Sequence, residues 1–180
     1  MIKVTANYNG RRAEFWMPCS ESEMHKCFEQ LQISEEHGTS LFVQTVIRPT
    51  QLAFLEDAFV DMDELNFLAK RLNCFSDAEL DTFYGMIRHK GFTQMKDLIN
   101  ATYNLDNYTL VQDFRHITFV GRTHYHALHG RITETAEKET DFAKLGRDLL
   151  ASGSGIMTFS QGNAWNIAMT APLLLTLSFE

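Results

Sequence analysis

Apolar and polar residues alternate from the start of the chain. Ile2, Val4, Ala6 and Tyr8 fall on one side and Lys3, Thr5 and Asn7 on the other, the period of a half-buried strand. Asn9-Gly10 follows, a pair suited to a type I′ turn because both central positions need positive φ. Ala13, Phe15 and Met17 resume the alternation until Pro18, so the pattern predicts a β-hairpin over residues 2–17. Ser20 then stands three residues before Glu23, the spacing of a helix capping box. Met24, Cys27, Phe28 and Leu31 recur at helical spacing, which predicts a helix over 21–32. Beyond Gly38, residues 41–47 are rich in β-branched and aromatic types and predict a third strand.

The middle of the chain changes period. Leu65, Leu68, Ala69 and Leu72 share one helical face with Asp63 as the expected cap. Ser76 and Glu79 repeat the capping-box spacing ahead of Leu80, Phe83, Tyr84 and Ile87, and Gly91 ends that helix. A third helix runs from Thr93 through Met95, Leu98 and Ile99, and a short fourth is expected over 108–114. Residues 114–130 fit a helix or a strand with a turn equally well. Residues 134–151 read as one helix, with Phe142, Leu145, Leu149 and Leu150 on its apolar face. Residues 152–155 read as a turn, and 156–159, 165–169 and 173–179 as short strands divided by Gly162 and Pro172. The fold class expected is α+β, in three units: 1–60 a small antiparallel sheet with a helix, 61–113 a short-helix bundle, and 114–180 a mixed α/β unit.

Composition supports packed cores and little else. The chain has 180 residues, 44% of them hydrophobic, with 14 Phe and only 3 Pro, which argues against wholesale disorder. The longest apolar run, at 173–179, is too short to span a bilayer. The first residues show no apolar signal stretch, and Cys19, Cys27 and Cys74 have no paired spacing, so free thiols in a reducing cytoplasm are expected.

The net charge of −7 is unevenly placed. Residues 56–81 carry eight acids against two bases, a local charge of −6. An acidic balance disfavours direct contact with nucleic-acid phosphates.

Catalytic signatures are sparse. Gly153-Ser154-Gly155 lacks the Lys-Ser or Lys-Thr of a phosphate loop and the spacing of a nucleophile elbow. His116, His124, His126 and His129 are the best metal candidates, yet their spacings suit different elements and no thiol or acid completes a zinc set. Packing or surface histidines are the expectation, with no metal and no cofactor. Phe114, Arg115, Arg122, Tyr125 and Arg131 interleave aromatics with bases, which salt bridges explain as well as nucleic acid does. What is left is the acids Glu56, Asp57, Asp61, Asp63, Glu64, Asp77, Glu79 and Asp81. Carboxylates favoured by the dipole at helix starts account for them on composition alone. A surface spaced like DNA phosphates and offered to a protein partner is the sharper reading.

The stretch Asp63-Glu64-Leu65-Asn66-Phe67-Leu68-Ala69-Lys70-Arg71-Leu72 resembles a segment of ArdA-type antirestriction proteins of conjugative plasmids and transposons. Ser76-Asp77-Ala78-Glu79-Leu80, Asp97-Leu98-Ile99-Asn100, Tyr103-Asn104-Leu105-Asp106, Gly121-Arg122 and Leu145-Gly146-Arg147 extend the likeness, which is densest over 60–126. The resemblance implies an elongated, acidic, homodimeric mimic of B-form DNA. Such a protein is not an enzyme, and it occupies the DNA groove of the specificity and methyltransferase core of Type I restriction-modification enzymes. The alternative within the same fold is an accessory or adaptor protein of a mobile element, without mimicry. This chain departs from the family pattern in being less acidic, with residues 82–133 net positive.

Overall fold

The alternation at the start of the chain does close into a hairpin. In the computed structural model, which describes residues 1–33, 38–111, 116–152, 155–159 and 165–170, β1 (Ile2–Tyr8) pairs antiparallel with β2 (Arg11–Met17). Asn9 and Gly10 take φ of 49° and 82°, the left-handed pair a tight I′ connection needs. The Gly10 N–H donates to Asn7 Oδ1 at 3.2 Å. Ile2, Val4, Ala6, Ala13, Phe15 and Met17 are all buried, so one face of the hairpin is core.

The capping box forms as its spacing predicts. The Ser20 hydroxyl accepts from the Glu23 N–H at 3.3 Å, and the Ser20 N–H donates to Glu23 Oε2 at 2.8 Å. They start α1 (Glu21–Leu31), which packs on β2. β3 (Ser40–Arg48) and β4 (Ala58–Asp61) complete an antiparallel sheet of order β2-β1-β3-β4. Between them Thr50–Leu55 winds into a 3₁₀ helix that buries Leu52 and Leu55. α2 (Met62–Leu72) lays Met62, Leu65, Leu68, Ala69 and Leu72 into the core, and α4 (Met95–Ala101) packs against it. Asn66 fastens α2 to the chain ahead of α1: its Oδ1 accepts from the Cys19 N–H at 2.9 Å and its Nδ2 donates to the Cys19 carbonyl at 3.0 Å.

These elements form one compact unit, Met1–Ser76 with Phe92–Tyr103; the second comprises Asp77–Gly91 and Asn104–Glu180. The sequence reading placed 61–113 in one helical bundle. In the structure the chain leaves the first unit to form α3 (Asp77–Lys90) in the second, and returns for α4.

In the second unit α3 packs on an antiparallel sheet of order β5-β7-β6, formed by β5 (Tyr108–Val111), β6 (Gly155–Phe159) and β7 (Trp165–Thr170). Residues 108–111 are therefore strand, not the short helix expected there. Their pairing with Ile167–Thr170 on β7 overrides a local pattern too short to sustain a helix. The ambiguous stretch resolves as α5 (Ile117–His129). The single helix expected over 134–151 is two, α6 (Glu134–Glu139) and α7 (Phe142–Ala151). Asp141 separates them, its Oδ1 accepting from the Lys144 N–H at 2.9 Å as a new N-cap. The expected turn at 153–154 and strand at 173–179 lie outside the described residues. No helix among the described residues is long and apolar enough to cross a membrane.

α5 and α7 meet at two glycines. A Cβ on Gly121 would overlap the Phe142 carbonyl oxygen and stand 2.9 Å from the Gly146 nitrogen. A Cβ on Gly146 would strike the Ile117 carbonyl oxygen. Backbone meets backbone here, so no side-chain rotation relieves the overlap. Gly121→Ala or Gly146→Ala is expected to lower the stability of the second unit by about 3 kcal/mol in urea denaturation. Gly130→Ala, at φ +73° with open space around it, is expected to cost only about 1 kcal/mol.

Candidate partner-binding surface

The acidic stretch begins where the sheet hands the chain to α2. Asp61 ends β4 with an extended backbone, and its Oδ1 accepts from the N–H groups of Asp63 and Glu64 at 2.9 and 3.0 Å. Its Oδ2 accepts from the Thr39 hydroxyl at 2.8 Å. Asp61, not Asp63, is therefore the cap of α2. The sequence offers acids at both 61 and 63, and pairing in β4 leaves Asp61 as the last extended residue. Asp63 and Glu64 stand exposed in the first helical turn.

Glu56 is also committed to the fold. Its Oε1 accepts from the Val46 N–H at 2.7 Å, beside a shift in register between β1 and β3. Such irregularities leave a backbone donor without its ladder partner, and Glu56 supplies one. Asp57 adopts φ of 59° and donates its N–H to the Val43 carbonyl at 2.9 Å; the residue is exposed. Of the five candidate acids in the first unit, Glu56, Asp57, Asp61, Asp63 and Glu64, three thus face solvent: Asp57, Asp63 and Glu64.

In the second unit Asp77 and Glu79 are exposed in the first turn of α3, and Asp81 is half-buried. Asp81 adds to an upward push on the Tyr84 hydroxyl, whose pKa burial chiefly raises to about 12. Thr82 turns inward and donates its hydroxyl to the Ala78 carbonyl at 2.8 Å. The carboxylates of α3 accordingly line the outer side of its first turns, while Phe83, Met86 and Ile87 enter the core.

The histidines sit on α5 without converging. His116 is its N-terminal flanking residue and makes no side-chain cap bond. His124 is half-buried, its Nδ1 is enclosed without a hydrogen-bond partner, and burial, then His129, hold its pKa below the usual histidine value. His129 stacks on Tyr125 with ring centroids 4.3 Å apart, and Tyr125 meets Phe142 edge-on at 5.6 Å. His126 is exposed. No group of three or more His, Cys, Asp or Glu among the described residues is arranged to hold a metal ion.

Arg122 from the same segment pairs with Glu137 and lies 5.2 Å from the Phe142 ring. The Cys19 thiol is pushed up in pKa by burial, then by Cys27 and Glu23, and the Cys27 thiol by burial, then by Glu23. Both shifts favour the thiol over the thiolate.

One group the sequence argument did not single out is Trp16 with Lys3 and Arg48. Lys3 Nζ lies 4.2 Å and Arg48 Cζ 4.9 Å from the Trp16 ring. Its only signal in the sequence is the polar half of the β1 alternation.

The two roles of the acids separate on substitution. Asp61→Ala removes the cap and the Thr39 bond, and is expected to cost about 1–2 kcal/mol in urea denaturation. Asp61→Asn keeps an oxygen for the helix N–H groups and is expected to stay within about 0.5 kcal/mol of the parent. Comparison of the chain with protein-family models, with curated proteins and with solved structures gives no match.

Proposed function

We propose that the protein is a DNA-mimicking inhibitor of Type I restriction-modification enzymes, acting through exposed carboxylates at its helix starts. The single observation that carries the reading is the placement of Asp63 and Glu64 on α2 and Asp77 and Glu79 on α3. All four are exposed in first helical turns. A groove built for the DNA backbone presents cations to phosphate oxygens, and carboxylates on rigid elements offer the same charge without needing to be ordered on binding. The resemblance of residues 60–126 to ArdA-type proteins supplies the identity of the groove; the surface chemistry alone names only a cationic partner. An α+β chain with a sheet and helix, further short helices and a second sheet with helices is compatible with the organisation which that resemblance implies. The protein then works by occupancy, as a homodimer carried by a mobile element and acting in the cytoplasm, with no reaction of its own.

Asp61 and Glu56 drop out of the contact surface, because each has its oxygens engaged within the fold. The informative variant leaves them intact and combines Asp57→Asn, Asp63→Lys, Glu64→Lys and Asp77→Lys. It is expected to lose inhibition of both the endonuclease and the methyltransferase of a Type I enzyme, with an unchanged far-ultraviolet circular dichroism spectrum. Inhibition by the parent is expected to weaken steeply as salt rises. Full inhibition by the four-site variant would remove these carboxylates from the mechanism. A parent chain that inhibits no Type I enzyme at low salt would leave the adaptor reading in its place.

A further inference from the structure

The four-stranded sheet has a second face. Across β2, β1 and β3 the register sets Trp16 beside Lys3 and Lys3 beside Arg48. Two residues further along β1, Glu14, Thr5 and Thr45 form the next row, and Arg12, Asn7, Phe42 and Phe59 cross all four strands in the row after that. These side chains point opposite to the buried set of Val4, Phe15 and Val43, because successive strand residues alternate. Trp16 is 45% exposed and Phe59 76%, and Arg12, Glu14, Thr45 and Arg48 are exposed as well.

The Trp16 ring lies within 4.2 Å of Lys3 Nζ on β1 and 4.9 Å of Arg48 Cζ on β3, and it stays 45% exposed beside them. Phe42 and Phe59 meet edge-on with centroids 5.6 Å apart. Rows four residues apart on β1 are separated by about 13 Å, a span that a few extended nucleotides cover.

We propose that this face binds single-stranded nucleic acid, with bases stacking on Trp16 and Phe59 and phosphates meeting Arg12 and Arg48. Aromatic rings on an open antiparallel sheet stack unpaired bases whatever their sequence, and flanking cations track the backbone. The nearby acids are partly committed to the fold: Glu14 is paired with Lys3 at 2.8 Å, and Asp61 accepts from Thr39 and the start of α2. Asp57, ahead of β4, stays exposed, and the cations Arg12 and Arg48 have to outweigh it. An acidic peptide is a poorer fit, because Lys3 is already engaged by Glu14 and it would leave the exposed Trp16 and Phe59 rings without a stacking partner. A duplex is a poorer fit too, since its bases present no free faces.

The test is fluorescence anisotropy of labelled oligothymidylate and oligouridylate with the full chain, against a duplex of equal length. Binding of a single strand is expected, with the thymidylate and uridylate arms telling DNA from RNA. Two phosphate contacts predict a shallow salt dependence, a slope of about 1.4 in log affinity against log salt. Trp16→Ala and Phe59→Ala are each expected to weaken binding about tenfold, and Trp16→Phe to keep most of it. Both positions are exposed, so the variants' urea midpoints are expected to match the parent's. Three results would overturn the proposal: no single-strand binding at low salt, equal affinity for the duplex, or affinity unchanged in both alanine variants. A concentration-dependent dimer abolished by Phe59→Ala, without oligonucleotide binding, would assign the face to a second copy of the chain and would equally overturn it.

Discussion

The carboxylate of Asp61 fastens the point in the first unit where a sheet edge turns into a helix. One oxygen satisfies the N–H groups of Asp63 and Glu64, and the other takes the Thr39 hydroxyl just ahead of β3. A strand end, a helix start and the approach to a second strand therefore meet on one residue. The direction in which α2 leaves the sheet follows, and with it the delivery of Met62, Leu65, Leu68 and Leu72 to the core. It also settles which acids remain for a partner. Asp61 looks inward, so Asp63 and Glu64 look out. Glu56 plays a comparable part on the ladder between β1 and β3. The most acidic stretch of the chain is thus a mixture of fold residues and surface residues that charge counting cannot separate.

Much of the first unit was legible because its signals are local. Asn9-Gly10 demands its turn from two residues, and Ser20 with Glu23 specifies a helix start from four. Where a structure depends on distant partners the sequence was silent. Residues 108–111 carry an apolar pattern compatible with a short helix, and only pairing with β7, more than fifty residues on, makes them a strand. Asp63 looked like a cap because the extension of β4 through Asp61 was not visible. Gly121 and Gly146 entered only through the resemblance; their role in packing exists only once α5 and α7 meet. The candidate surface was legible as composition and illegible as geometry. The alternation of β1 shows two faces to its strand, yet it does not show that one brings Trp16 within reach of two cations.

Charge in the first unit is placed partly by element. Arg11, Arg12 and Arg48 are exposed on strands and Lys26, Lys70 and Lys96 on helices, while Glu21 and Glu23 open α1 as Asp63 and Glu64 open α2. The two kinds of element favour different charges. A helix start tolerates acids because its N–H groups favour negative charge. A strand has no such dipole, and its cross-strand neighbours select opposite charges and aromatic partners instead. Lys3 shows this directly, with Glu14 diagonal to it and Trp16 beside it on the same neighbouring strand.

The same dipole sets how phosphate-like the acids are. A helix N-terminus carries roughly half a positive elementary charge, so one first-turn carboxylate presents only about half its charge to a distant partner. The starts of α2 and α3 each keep two exposed acids in the first turn: Asp63 and Glu64 on the first, Asp77 and Glu79 on the second. A single acid would be half offset by the helix that it stabilises. Two exceed what the dipole neutralises by about one and a half charges, and that surplus is what a cationic groove can attract. Helix stabilisation alone therefore accounts for one carboxylate at each start but not for both. The excess, more than the net charge of the chain, is the physical argument behind the proposed partner surface.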